Sequence, residues 1–119
     1  MLNGLHEPES EYRISAVTMG ECLRGAILHP RNETLARLAA MVEEMEDHTI
    51  LPYGKTEAMV FSRISVRVTA RRRIPDLMIA ATAIVAGLPL ATYDAGLKAI
   101  ADDIGASGDV DLVVRMLEA

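Results

Sequence analysis

The alternation of short strand-like segments with helical ones constrains this sequence more than any other feature. Four short segments, at residues 12–17, 48–53, 88–93 and 110–114, have the composition and flanking residues of β-strands. Helices are predicted beside them, at residues 18–28, 33–46, 57–72, 76–86 and 95–103. This alternation favours a three-layer α/β fold, in which helices flank both faces of a central parallel sheet. A chain of 119 residues is too short for two such domains, so we predict a single domain over residues 1–119.

The predicted ends of the helices rest on capping residues. Three residues with suitable side chains are predicted to begin the first three helices: Thr18, Asn32 and Thr56. Pro75 suits the first turn of the fourth helix, and Gly87 suits its C-terminal end. Residues 76–86 are apolar on every side, so this helix is predicted to be buried. Residues 115–118 are predicted to form a tail after the last strand.

The composition excludes several classes of protein. A formal net charge of −5 argues against nonspecific wrapping of nucleic acid. It remains compatible with acids that hold metal ions, because bound cations reverse the local field. The longest apolar segment, residues 77–90, is interrupted by Gly87 and Pro89 and is too short to span a membrane. Cys22 is the only cysteine and the start of the chain has no signal-like segment, so we expect a soluble, cytoplasmic protein.

Three acidic residues lie where an α/β fold binds its ligands. Glu21 follows the first predicted strand, Asp94 directly follows the strand at 88–93, and Asp76 opens the buried helix. Ligands of open α/β sheets bind beyond the carboxyl ends of the strands. Carboxylates gathered there repel one another unless a cation compensates, and oxygen ligands suit Mg²⁺ or Mn²⁺.

Each of these acids also has a purely structural interpretation. The sequence Thr18-Met19-Gly20-Glu21 matches a capping box, in which Glu21 would accept a hydrogen bond from the backbone amide of Thr18. Asp76 suits a first-turn acid that complements the helix dipole, and Asp94 suits an ordinary N-cap. Spacing alone does not decide between the metal-binding and the structural interpretations.

Three sequence blocks resemble the signatures of PIN-domain ribonuclease toxins of the VapC type. Residues 14–25, Ile-Ser-Ala-Val-Thr-Met-Gly-Glu-Cys-Leu-Arg-Gly, resemble a strand that runs into Thr-x-x-Glu. Residues 74–83, Ile-Pro-Asp-Leu-Met-Ile-Ala-Ala-Thr-Ala, resemble the block in which an Asp starts an alanine-rich buried helix. Residues 90–94, Leu-Ala-Thr-Tyr-Asp, resemble a strand that ends in Thr-x-Asp. The order and spacing of the blocks also match, and together they cover most of the chain.

This resemblance implies a PIN fold and a metal-dependent endoribonuclease, the toxin of a toxin–antitoxin system. Glu21, Asp76 and Asp94 would ligate Mg²⁺ or Mn²⁺, and the hydroxyl of Thr92 would support the site. One or two such ions would activate a water and stabilise the charge that builds on the scissile phosphate of RNA, without a nucleophilic side chain. The resemblance also implies a cognate antitoxin partner and a homodimer.

The first block of the family has no match in this sequence. Members open with a strand that carries an Asp, typically Asp-x-Ser/Thr/Asn-Val, whereas residues 1–4 resemble the end of the helix that follows that strand. We therefore expect an N-terminally incomplete PIN-like domain that binds Mn²⁺ weakly and cuts RNA slowly or not at all. The rival hypothesis is a catalytically inactive binding module that sequesters an antitoxin or pairs with an intact toxin.

Three arginines form a basic stripe on the predicted third helix. Arg63, Arg67 and Arg71 are spaced at i, i+4 and i+8 and so share one helical face. Such a face suits contact with RNA phosphates beside the acidic pocket. It equally suits a solvated surface that docks an acidic segment of the antitoxin, and the sequence does not choose between the two.

Overall fold

The computed structural model describes residues 13–66, 74–92, 95–106 and 112–116. The chain divides into two compact units, Met1–Pro52 and Tyr53–Ala119, which are described in turn.

The first unit contains a two-stranded parallel sheet and a pair of helices. Its elements, in chain order, are β1 (Ile14–Ser15), α1 (Ala16–Leu28), α2 (Glu33–Glu44), a turn of 3-10 helix at Asp47–Thr49, and β2 (Ile50–Leu51). β1 pairs with β2 in the register Ile14↔Ile50 and Ser15↔Leu51. Parallel strands need a long crossover connection, and α1 and α2 provide it.

The first helix begins earlier than its sequence predicts. Ser15 has extended backbone angles (φ −78°, ψ 152°) and caps α1, so the helix starts at Ala16 instead of at Thr18. The strand before it is correspondingly short: of the predicted 12–17, β1 covers Ile14 and Ser15, and residue 12 lies outside the described part of the chain. The prediction for the second helix is confirmed, because Asn32 Oδ1 accepts a hydrogen bond of 3.0 Å from the backbone N–H of Leu35.

The second unit contains three helices and a second two-stranded parallel sheet. Its elements are α3 (Lys55–Ser65), α4 (Ile74–Ala86), β3 (Leu90–Thr92), α5 (Ala95–Ala106) and β4 (Val114–Met116). β3 pairs with β4 in the register Leu90↔Val114, Ala91↔Arg115 and Thr92↔Met116. The predicted tail is therefore wrong for Arg115 and Met116, which pair with β3 as part of a strand.

The start of the third helix also differs from its prediction. Gly54 is the N-cap, and the Glu57 carboxylate accepts a hydrogen bond of 2.8 Å from its backbone N–H, so Thr56 lies inside the helix and does not cap it. Next to this cap, burial of the Tyr53 phenol and, to a smaller extent, the negative charge of Glu57 raise the pKa of Tyr53 above its ordinary value of 10.0. Residues 67–72 of the predicted helix lie outside the described part of the chain.

The core of the second unit is built around α4, as the sequence predicts. Its buried residues come from three helices: Ile64 of α3, Leu77, Ala80 and Ala81 of α4, and Ile100 and Ile104 of α5. All of these buried residues are aliphatic, and the half-buried Phe61 packs against them at the edge of the core. Gly87 ends the helix with a positive φ of 70°. The N–H groups of Gly87 and Leu88 donate to the carbonyls of Ile84 and Ala83, which is the Schellman pattern.

The predicted α/β class with parallel strand pairing is confirmed. Within the described ranges the pairing occurs inside each unit, β1 with β2 and β3 with β4. No helix among the described residues has the length and apolar character needed to cross a membrane.

Candidate functional site

Glu21 lies on α1, two turns after the end of β1, and its side chain is exposed. The capping-box interpretation of this residue is wrong. The backbone N–H of Thr18, which Glu21 would have to bind, already donates to Ser15 Oγ at 2.9 Å. Because α1 begins at Ala16, Glu21 is in the body of the helix and has no capping role. The metal-ligand interpretation stays a prediction.

Asp76 lies in the first turn of α4, at the border between solvent and the core of the second unit. The residue is half-buried, and its Oδ2 atom has less than 1 Å² of exposed surface. The next residue, Leu77, is fully buried. Asp76 therefore belongs to a helix turn that is anchored in the core by the next residue. A first-turn position suits both the metal-binding interpretation and the helix-dipole interpretation.

Thr92 is the last residue of β3, where its backbone pairs with Met116 of β4. Asp94 lies outside the described residues, two positions after that strand and directly before α5 begins at Ala95. The predictions that Asp94 is a metal ligand or an N-cap stay predictions. The order of the chain alone places both residues at the carboxyl end of a parallel strand, where α/β folds bind ligands.

The basic stripe is described only at its first member. Arg63 lies in the last turn of α3 with its side chain exposed. Arg67 and Arg71 lie outside the described residues, so their predicted common face stays a prediction.

The two described acids belong to different units, Glu21 to the first and Asp76 to the second. Over residues 13–66, 74–92, 95–106 and 112–116, no three His, Cys, Asp or Glu side chains cluster closely enough to hold a metal ion. The donor set that the sequence predicts consists of carboxylates alone, which fits Mg²⁺ or Mn²⁺ and does not fit a thiolate- or imidazole-preferring metal.

Ser15 is a residue that the sequence prediction missed. Its side chain is buried, and its Oγ atom binds both the backbone N–H and the hydroxyl of Thr18. A signal for it exists in the sequence, because Ser is among the best N-cap residues and stands three positions before Thr18. The Thr18-x-x-Glu21 sequence also matches a capping pattern, and for that reason the helix cap was predicted three residues too late.

Comparison with known families identifies the class of this α/β fold. The sequence model of the PIN domain family matches residues 2–103, a range that extends across both units. The chain therefore belongs to the PIN domain family, and the resemblance that its three sequence blocks carry is confirmed. PIN domains are generally nucleases. No curated protein matches the sequence significantly.

Three solved structures are similar to this chain over most of its length. VapBC-5 from Mycobacterium tuberculosis, a member of the VapBC family of toxin–antitoxin systems, is 28% identical with a TM-score of 0.58, over 90% of this chain and 81% of that one. FitAcB from Neisseria gonorrhoeae is 25% identical with a TM-score of 0.63, over 86% and 72%. VapBC2 from Rickettsia felis, in a structure with a promoter DNA fragment, is 17% identical with a TM-score of 0.66, over 89% and 74%, and supports the fold alone.

Proposed function

We propose that this protein is a metal-dependent endoribonuclease and the toxin of a toxin–antitoxin system. The observation that carries the proposal is the PIN family match over residues 2–103, because that one range contains every proposed site residue: Glu21, Asp76, Thr92 and Asp94. The similarity to VapBC-5, a member of a toxin–antitoxin family, supports the toxin class and a cognate antitoxin as partner.

The residues of this chain would share the work as follows. The carboxylates of Glu21, Asp76 and Asp94 would hold Mg²⁺ or Mn²⁺, and the Thr92 hydroxyl would support them. When bound, such an ion activates water for attack on a phosphodiester and stabilises the charge on the phosphate. The position of Glu21 supports this assignment, because its side chain is exposed and Ser15, not Glu21, caps the start of α1.

RNA and protein partners belong to the same proposal. The chain carries a net charge of −5, so its affinity for RNA would depend on local features, namely bound cations and the stripe of Arg63, Arg67 and Arg71. Exposure of the Arg63 side chain supports contact with a phosphate or with an acidic antitoxin segment. The protein would act as a homodimer when it is not held by the antitoxin.

The test measures Mn²⁺ binding and metal-dependent cleavage of RNA and DNA oligonucleotides by the unsubstituted chain. We expect weak Mn²⁺ binding and, at most, slow cleavage that prefers RNA. Glu21→Gln, Asp76→Asn and Asp94→Asn should each abolish cleavage while the protein stays folded, because each removes a charged ligand and changes the side-chain shape little.

Two exposed acids of the same chain provide matched controls. Glu44→Gln in α2 and Asp103→Asn in α5 make the same changes of charge at exposed positions, and both should leave cleavage unchanged. Cleavage that survives the substitutions at Glu21 and Asp76 would contradict the proposal. A folded chain that neither binds Mn²⁺ nor cuts RNA, yet still binds an antitoxin, would establish the rival function of an inactive binding module.

A further inference from the structure

Two hydroxyl groups join the first strand to the helix that carries Glu21. Ser15 is the last residue of β1 and the N-cap of α1, and its side chain is 6% exposed. Its Oγ atom accepts a hydrogen bond of 2.9 Å from the backbone N–H of Thr18. The Ser15 and Thr18 hydroxyls also share a hydrogen bond of 2.8 Å between Oγ and Oγ1. One buried side chain therefore binds the first turn of α1 at two points.

This junction is built differently from the other described helix starts. α2 begins at an exposed cap, where Asn32 makes a single bond to the N–H of Leu35. α3 begins at Gly54, which has no capping side chain of its own. Among the helices whose N-caps the structure describes, α1 alone has a buried cap with a second side-chain bond. An ordinary N-cap needs only the bond from a backbone N–H to the capping side chain. The additional bond between the two hydroxyls indicates that this junction does more than start the helix.

The requirement follows from where Glu21 lies. It is three residues after Thr18, so the two side chains share one face of α1. Ser15 is itself held by β1, where it pairs with Leu51 of β2. Successive residues of a helix are rotated by roughly 100° about its axis. If α1 began one residue earlier or later relative to β1, the Glu21 side chain would therefore point in another direction. The residues that α1 packs towards its neighbours are only half-buried, so packing constrains its rotation less tightly than a buried face would, and the paired hydroxyls add a fixed point at its start.

We propose that Ser15 and Thr18 are positioning residues for Glu21. Their paired hydroxyls set the rotation of α1 relative to β1 and thereby the direction of the Glu21 carboxylate. This role rests on the proposed function, in which Glu21 is a metal ligand. Groups that orient a metal ligand without touching the metal commonly change its affinity by tenfold or more, so the effect is measurable by metal binding itself.

The experiment compares Mn²⁺ affinity, measured by electron paramagnetic resonance, with the melting temperature of the same variants. Ser15→Ala removes both bonds, and Thr18→Val removes only the bond between hydroxyls while it keeps the backbone N–H. We expect both to weaken Mn²⁺ binding, Ser15→Ala by about tenfold or more. Ser15→Thr and Thr18→Ser retain the hydroxyls and should bind Mn²⁺ as the unsubstituted chain does.

Asn32→Ala is the matched control, because it removes the cap of α2, a helix that carries no proposed ligand. It should lower the melting temperature, by less than Ser15→Ala because it removes a single exposed bond, and leave Mn²⁺ affinity unchanged. Should Ser15→Ala fail to fold, the comparison of Thr18→Val with Thr18→Ser still decides.

The outcomes separate this inference from the proposed function. Equal loss of Mn²⁺ affinity in Ser15→Ala and Asn32→Ala, or normal affinity in Thr18→Val, would overturn the positioning role and leave the proposed function standing. An unsubstituted chain without Mn²⁺ binding would refute the proposed function and the positioning role together.

Discussion

The two units of this chain bury their apolar residues to very different extents. In the first, α1 has no buried residue and α2 has only Val42, although most residues of α1 are apolar. In the second, α4 alone contributes five buried residues. The apolar content of a helix therefore does not by itself decide how much of that helix is buried. α4 packs against helices that contribute Ile64, Ile100 and Ile104, whereas the inner face of α1 is only half-buried.

The contrast applies directly to the two described acids of the proposed site. Asp76 precedes a fully buried leucine on a packed helix, so the core of the second unit holds it. Glu21 stands exposed on a helix that hydrogen bonds and strand pairing hold in place. Substitutions at buried residues of the second unit should therefore cost more stability than substitutions at exposed residues of the first.

The largest effect is expected from truncating the core beside Asp76. Leu77→Ala should lower the free energy of unfolding by about 2–5 kcal/mol, because Leu77 is fully buried and its truncation leaves a cavity in the core. Against a total margin of about 5–15 kcal/mol this loss is severe. Met41 of the first unit is 58% exposed, so Met41→Ala should change the free energy of unfolding by less than about 0.5 kcal/mol. Urea denaturation of both variants checks the pair, and equal losses would contradict the comparison.

Two glycines provide a test with opposite signs. Gly87 has a φ of 70°, so Gly87→Ala should destabilise the protein by about 1–2 kcal/mol through backbone strain alone, since a Cβ atom there meets nothing within 4 Å. Gly20 lies inside α1, and a Cβ atom there also meets nothing within 4 Å. Gly20→Ala should therefore stabilise the helix by about 0.5–1 kcal/mol.

Thermal unfolding of the two glycine variants gives the sign directly. A loss of stability in Gly20→Ala would show that α1 is not helical through Gly20 in solution, which would remove the basis for the position of Glu21.

The smallest effects are expected at two exposed ion pairs, chosen so that each unit contributes one. Lys98 and Asp102 of α5 approach to 2.9 Å, whereas Arg37 and Glu33 of α2 approach to 3.5 Å and are more exposed. Double-mutant cycles should give no more than about 0.5 kcal/mol for either pair. The α5 pair should be the stronger, although its order of charges is the less favourable one for a helix. Added salt should weaken both, and a salt-independent value would mean that the interaction is not an exposed ion pair.

Several features of this protein follow from local sequence alone. The α/β class, the PIN resemblance, the Asn32 cap, the helix that buries residues 77 and 80–83, and the Gly87 terminus depend on periodicity, capping chemistry and backbone freedom within a few residues. Such signals are short-range, so the sequence carries them completely.

Tertiary structure decided the features that depend on competition between neighbours. Ser15 and Thr18 are both good caps, and Ser15 prevails where its buried hydroxyl lies at the end of a paired strand. β4 lies at Val114–Met116, where it pairs with β3, whereas local sequence suggested a strand at 110–114; of that range Leu112 and Val113 are not in the strand, and residues 110–111 lie outside the described part of the chain. Local preference cannot rank such alternatives, because the free energy that separates them comes from burial and pairing with residues far away in the chain.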